Sequence, residues 1–165
     1  MPGDTGPGPG GDLHANNKGE KMKTRWRALA ASLLAGLLLA GCAITRNATP
    51  IKGAGIELLC IRKNPDVFMG EFLTTLESQI RGKGLKTQVY EGAIPGACRH
   101  RLEYTANWRW DFAMYLTFAE LKVYEGDLLV GDAVYDARAG GLNFDKFGPT
   151  AEKMQGLVND LFPGK

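Results

Sequence analysis

The chain has 165 residues, a charged fraction of 23% and a formal net charge of +2. Within residues 42–165 the longest like-charge cluster is Arg62-Lys63, so this part of the sequence lacks the basic stripe that displaces counterions from a nucleic acid. After Cys42 only two cysteines, without Cys-x-x-Cys spacing, and one histidine remain, which form a poor set of zinc ligands. We therefore predict no nucleic-acid partner, no metal and no dissociable cofactor.

Residues 1–21 are rich in glycine, proline and asparagine and offer almost no apolar side chain for burial. Such a segment cannot offset the entropy cost of ordering itself, so the composition predicts disorder. Met22 opens a leader of ordinary length, which favours Met22 as the true first residue and residues 1–21 as an untranslated upstream extension. A genuine extended leader is the alternative.

The next segment has the order of a secretory signal peptide, predicted over residues 22–41. A basic stretch, 23–27, precedes thirteen apolar or small residues, 28–40. A membrane-spanning helix is the alternative, but a bilayer core needs about 20 apolar residues. The run ends in Leu39-Ala40-Gly41-Cys42, which resembles the lipobox of bacterial lipoproteins.

The lipobox resemblance implies that the leader is cleaved after Gly41 and that Cys42 carries a diacylglyceryl group and an N-acyl chain such as palmitate. Ala43 rather than aspartate follows the cysteine, which by the sorting pattern of such lipoproteins implies the outer membrane, facing the periplasm. The membrane is therefore a predicted partner through the lipid anchor. The mature residues 42–165 contain 15 basic and 15 acidic side chains, so the excess positive charge belongs to the leader.

The first part of the mature chain divides at about residue 55. Residues 42–55 lack any periodicity and predict a lipidated N-terminus with a flexible tether, whereas residues 56–165 predict one small periplasmic domain. The nearly continuous apolar run 57–61 indicates a strand that is covered on both faces.

A helix and a second strand follow. Asn64-Pro65 is typical of a helix start, and the helix is predicted to end near Arg81. Its apolar stripe is Phe68, Phe72, Leu73, Leu76 and Ile80. Residues 86–90 predict a strand parallel to the first one, because a strand, a helix and a strand at this spacing form a crossover unit.

The second half predicts an antiparallel meander followed by a helix. Alternating residues from Arg101 onward indicate three strands, with a turn near 109–112 that no glycine or proline marks, and a bulge near Ala119 where the alternation slips. A final helix is predicted over 149–162. The order β-α-β-β-β-α predicts an α/β (α+β) fold: a two-layer domain with one mixed sheet and both helices on a single face.

Two cysteines remain after lipidation, Cys60 and Cys98. An even pair in an oxidising compartment favours a disulfide, which would join the first strand to the loop at 91–99. Two buried thiols that behave as small apolar side chains are the alternative.

The most distinctive stretch of the domain is residues 107–112, which alternates aromatic and polar side chains. We expect Trp108 and Trp110 on the buried face of the sheet, which leaves a polar stripe on the uncovered face. That stripe, Asn107, Arg109 and Asp111, is the candidate recognition surface. For catalysis the sequence offers only weak candidates: a solvated loop histidine, His100, and three carboxylates near one end of the predicted sheet, Asp132, Asp136 and Asp145.

Nearly the whole mature chain resembles a family of small, uncharacterised outer-membrane lipoproteins of proteobacteria. The resemblance rests on the lipobox, on Cys60 before Asn64-Pro65, on the stretch from Cys98 to Asp111, on Val134-Tyr135-Asp136 and on the closing Leu161-Phe162-Pro163. It implies a periplasmic α/β domain and no particular activity. We therefore predict a noncatalytic module with an envelope protein as partner. The alternatives are a small-ligand or glycan binder that uses the open sheet face and, third, a carboxylate-based hydrolase.

Overall fold

The computed structural model describes residues 44–52, 55–141 and 143–164, together with Gly3. The predicted leader, the cleavage point after Gly41 and the lipidation site Cys42 lie outside these ranges. The strands are β1 (Thr45–Thr49), β2 (Leu58–Arg62), β3 (Lys86–Tyr90), β4 (His100–Asp111), β5 (Ala113–Glu125) and β6 (Leu128–Asp136). The helices are α1 (Gly70–Gly82), α2 (Thr150–Leu161) and a short 3₁₀ helix (Phe144–Phe147).

The six strands form one mixed sheet in the order β1-β6-β5-β4-β2-β3. Strand β2 runs parallel to both of its neighbours, β3 and β4, while the other pairings are antiparallel. The interior position of β2 explains its continuous apolar sequence, because Leu59, Cys60 and Ile61 are all fully buried.

Both helices cover the same face of this sheet, which confirms the predicted two-layer α/β domain. They contact each other, and the Gln79 side chain of α1 donates a hydrogen bond to the Ala151 carbonyl of α2 at 2.8 Å. Their buried side chains are Phe72, Leu76 and Ile80 from α1 and Met154, Leu157, Val158 and Leu161 from α2. Alternate residues of β4, β5 and β6 complete the core, among them Leu102, Leu116 and Leu121.

The structure corrects the prediction of a flexible tether over residues 42–55, because β1 occupies Thr45–Thr49 within it. This strand pairs antiparallel with β6 and covers what would otherwise be an open edge of the sheet. Arg46 forms an ion pair with Asp160 of α2 at 2.8 Å, and the Ile51 amide donates to the Leu161 carbonyl at 3.0 Å. Because every β1 residue is exposed, no apolar pattern could have indicated this strand.

The start of the first helix was also predicted wrongly. The Asn64 side chain accepts a hydrogen bond from the Asp66 amide at 3.0 Å and donates one to the Tyr104 carbonyl at 2.8 Å, so Asn64 closes a turn on β4. The helix begins five residues after Pro65, at Gly70. Phe68 consequently lies outside the helix and is 65% exposed, although its ring packs edge-on against Trp108 at 5.3 Å.

Strands β4 and β5 form a hairpin whose connection is a single residue. Asp111 pairs with Ala113, which leaves Phe112 alone at the turn with a φ of 59°. The predicted bulge is confirmed two residues before the predicted position: Asn107 pairs with Phe118 and Trp108 with Leu116, so Thr117 has no direct partner. The expectation that Trp110 belongs to the core is wrong, because its side chain is 72% exposed.

The predicted disulfide is confirmed. Cys60 and Cys98 are joined, with their Cα atoms 5.6 Å apart and a separation of 38 positions in sequence. The bond ties the loop that follows β3 to the interior strand β2. In the chain-entropy model, closure of a loop of this length stabilises the folded state by about 4 kcal/mol.

The turn at Phe112 yields a prediction about stability. A left-handed backbone costs a residue with a Cβ about 1–2 kcal/mol, whereas glycine adopts it freely but loses more entropy on folding. We expect Phe112→Gly to have a free energy of unfolding about 1 kcal/mol above that of Phe112→Ala, the matched variant that keeps the Cβ. Urea unfolding of the two variants measures the difference, and an Ala variant as stable as the Gly variant would contradict it.

Candidate functional site

The face of the sheet opposite the helices is uncovered along β4, β5 and β6, and we call it the open face. Its side chains alternate with those of the core and are mostly charged or polar: Arg101, Glu103, Thr105 and Asn107 from β4, Phe118, Glu120, Lys122 and Tyr124 from β5, and Asp132, Val134 and Asp136 from β6. This surface therefore carries positive and negative side chains close together on neighbouring strands.

Ion pairs join the charged side chains of the open face. Arg62 of β2 reaches Glu103 at 3.4 Å, and Lys122 reaches Glu120 at 2.8 Å. The hydrogen bond from Lys122 to Glu120 raises the pKa of the Lys122 ammonium above its ordinary value. These pairs are half exposed and each contributes little to stability, but together they fix a pattern of opposite charges on the surface.

Guanidinium groups lie over both aromatic rings of the open face. The Arg101 Cζ atom is 4.5 Å from the centre of the Tyr124 ring, and the Arg138 Cζ atom is 4.4 Å from that of Phe118. Arg138 also forms a two-pronged ion pair with Asp136, with Nη2 at 2.5 Å from Oδ2 and Nε at 2.9 Å from Oδ1. That hydrogen bonding from Arg138 holds the pKa of the Asp136 carboxyl below its ordinary value.

The predicted recognition stripe is only partly assembled. Asn107 and Arg109 are exposed on β4, as expected. Asp111 instead accepts a hydrogen bond from the Lys146 ammonium at 2.8 Å, and the same ammonium donates to the Gly141 carbonyl at 2.8 Å. The side chain of Lys146 is only 9% exposed, so Asp111 holds the segment after β6 against the hairpin. The interaction with Asp111 also raises the pKa of Lys146.

Two of the three weak carboxylate candidates lie far apart. Asp132 and Asp136 lie four residues apart on one strand, a separation of about 13 Å, and Asp136 is engaged by Arg138. His100 is not a solvated loop residue as expected: it begins β4, its side chain is 14% exposed, and its Nε2 lies 3.9 Å from Glu125. Among the described residues no three histidine, cysteine or acidic side chains are grouped closely enough to hold a metal ion.

Sequence reasoning missed a second surface, at the end of the β4–β5 hairpin. Four large apolar side chains are exposed at or next to this end, and we call them the apolar tip: Trp110 (72% exposed), Phe112 (94%) and Met114 (47%) of the hairpin, and Phe144 (79%) of the 3₁₀ helix, whose Phe147 packs against Tyr115 of β5. The cross-strand pair of Trp110 with Met114 places two of them side by side. The sequence pattern could not show this exposure, because it depends on the pairing of β5 with β6 ending at Phe118 while the hairpin continues.

Comparison with known proteins adds little to this geometry. The chain matches no family model and no curated protein. Two solved structures of PelC dodecamers from Paraburkholderia phytofirmans resemble it, one of them a variant, each at 10% sequence identity over 70% of this chain and 92% of the other. Their TM-scores are 0.46 and 0.44. Within the described ranges no helix has the length and apolarity to cross a bilayer.

The Asp136–Arg138 pair yields a prediction about acid stability. Because the folded state lowers the pKa of Asp136, its contribution is present above the ordinary value of 3.8 and is lost as the pH falls below it. We expect Asp136→Asn to unfold at a lower urea concentration than the wild type at pH 7, and the gap to narrow at pH 3. A charge-matched control is Asp66→Asn, which removes an exposed carboxylate that forms no ion pair with the described residues. A gap that stays constant from pH 7 to pH 3 would show that Asp136 is not stabilised as an anion.

Proposed function

We propose that the mature chain is a noncatalytic lipoprotein, anchored by acyl chains on Cys42 to the outer membrane, which binds an envelope protein in the periplasm through the open face. The lipobox residues support the anchor. The Cys60–Cys98 disulfide supports the periplasm as the compartment, because such bonds persist outside the reducing cytosol.

The position of β1 supports a short connection to the membrane. This strand begins at Thr45, three residues after Cys42, and is tied into the sheet by its pairing with β6. Three residues span about 10 Å at most. A domain so connected stays next to the bilayer, and several acyl chains on one residue make its attachment effectively permanent.

The open face favours a protein over a glycan as its partner. Aromatic rings bind sugars by stacking on them, and both rings of this face already carry a guanidinium group, from Arg101 and Arg138. The alternating charges are instead suited to a complementary polar surface, where they would set register and specificity. A glycan-binding role for the open face is therefore the weaker proposal.

The anchor is tested by Cys42→Ser in cells. We expect the wild-type chain to incorporate labelled palmitate and to fractionate with the outer membrane, and the variant to do neither, because serine lacks the thiol that accepts the diacylglyceryl group. The matched control is the double variant Cys60→Ser with Cys98→Ser, which removes the other two cysteines and their disulfide and should still be acylated. Unchanged palmitate labelling of Cys42→Ser would overturn the anchor.

The partner surface is tested by a photo-crosslinking amino acid in intact cells. At Thr105, an exposed position of the open face, we expect a defined covalent adduct with one envelope protein. At Ser78, an exposed position of α1 on the opposite side of the domain, we expect none. Exchange of charges in the double variant Glu120→Lys with Lys122→Glu keeps the net charge and should abolish the Thr105 adduct. Equal adducts at Thr105 and Ser78 would contradict an interface on the open face.

A further inference from the structure

The apolar tip is the surface for which the proposed function has no use. Trp110, Phe112, Met114 and Phe144 are exposed to solvent at one end of the domain, and Phe68 and Met69, 65% and 37% exposed, lie toward the same end, where Phe68 contacts Trp108. Among the described residues, most of the exposed large apolar side chains therefore gather at this end. The surface of a soluble protein does not ordinarily concentrate such side chains unless an apolar partner covers them.

This end of the sheet is the end at which the chain enters the domain. Thr45 pairs with Asp136, Asp136 with Phe118, and Phe118 with Asn107, so the first residue of β1 lies in one row with these positions. From Asn107 in that row the chain continues for five residues to Phe112, a distance of about 17 Å. The path from Thr45 back to Cys42 starts in the same row and can span about 10 Å.

The hairpin end is supported by contacts on one side and exposes its apolar side chains to solvent. Phe112 adopts a φ of 59°, a conformation that residues with a Cβ atom avoid. Its ring is 94% exposed, so packing of the side chain does not offset the free-energy cost of this backbone conformation. The bond from Lys146 to Asp111 and the edge-on contact of Tyr115 with Phe147 at 5.2 Å fix the turn from one side. An aromatic residue that is both strained and exposed contributes little to the fold, which points to a role outside it.

The chemistry of the tip is that of side chains found at membrane interfaces. Tryptophan and phenylalanine place rings among lipid headgroups, and the nearby exposed Arg109 is of the type that pairs with lipid phosphates. A bilayer requires no matching shape, so a protruding tip of a few side chains can enter it. A second copy of the chain would instead need a complementary patch of roughly 800 Å² on each partner.

We propose that the apolar tip inserts into the headgroup region of the bilayer that holds Cys42, as a second membrane contact of the domain. The proposal rests on the lipid anchor of the proposed function, which brings this end of the sheet to the lipid surface. Two contacts, the acyl chains before β1 and the hairpin end, fix the orientation of the domain. The strands then stand away from the membrane, and the open face is presented sideways to the periplasm.

The experiment uses the mature lipoprotein in vesicles of phosphatidylethanolamine and phosphatidylglycerol with brominated acyl chains, which quench tryptophan at contact. Trp108 and Trp110 are the two tryptophans of residues 42–165. We expect emission to fall to half or less in brominated vesicles relative to unbrominated ones, and Trp110→Phe to lose most of this quenching. Phe112→Gly, which relieves the turn, should weaken the quenching of Trp110 at least twofold. Leu128→Ser, a control at the opposite end of the sheet, should leave it unchanged.

The outcomes separate this proposal from the anchor. Mass spectrometry of the purified lipoprotein reports whether Cys42 is acylated. The absence of acyl chains overturns the anchor and, with it, the proposed tip contact. An acylated protein in which Trp110 is not quenched leaves the anchor standing and overturns the tip contact. Loss of a dimer or larger assembly in Phe112→Gly, without loss of quenching, would assign the tip to self-association and also overturn the proposal.

Discussion

The antiparallel pairing of β4 with β5 is the interaction on which both surfaces of this domain depend. This pairing runs from His100 opposite Glu125 to Asp111 opposite Ala113. It therefore extends beyond the pairing of β5 with β6, which ends at Phe118. Over the shared length the sheet has a buried face toward the helices and a charged open face. Beyond Phe118 the hairpin lacks that neighbour, and its apolar side chains reach solvent at Trp110, Phe112 and Met114.

The two ends of the domain therefore differ in chemistry. The end that carries the chain entry also carries the exposed rings of the hairpin and of Phe144, whereas the open face carries ion pairs such as Lys122 with Glu120. The proposed lipid anchor would join the apolar tip at this end, with the polar open face beside them, and this arrangement fits the proposal of a module that holds a protein partner at a membrane surface. The Cys60–Cys98 bond stabilises the interior strand β2 against which β4 is aligned.

Much of the fold was predictable because its signals are local. Continuous apolarity marked β2, a 3.6-residue stripe marked both helices, alternation marked β4 to β6, and a leftover pair of cysteines indicated the disulfide. The predicted element boundaries were wrong where a side chain can hydrogen-bond either to a neighbour in sequence or to a distant strand. Asn64 could cap a helix or bond to β4, and its bonds to Asp66 and to the Tyr104 carbonyl are made in place of a cap. Strand β1 has no apolar pattern at all, since an edge strand with exposed side chains is stabilised by backbone pairing with β6.

The sequence by itself determined the two-layer architecture and the exposure of Asn107 and Arg109, because periodicity reports on which side chains are buried. It also determined the pairing of Cys60 with Cys98, because only two cysteines remain after Cys42. It is also the source of the predicted anchor at Cys42. Only the tertiary structure decided that Asp111 is bound to Lys146, that Trp110 lies in solvent and that the chain enters beside the hairpin end. These depend on where neighbouring strands stop and which residues meet across the sheet, and a linear pattern carries no record of either.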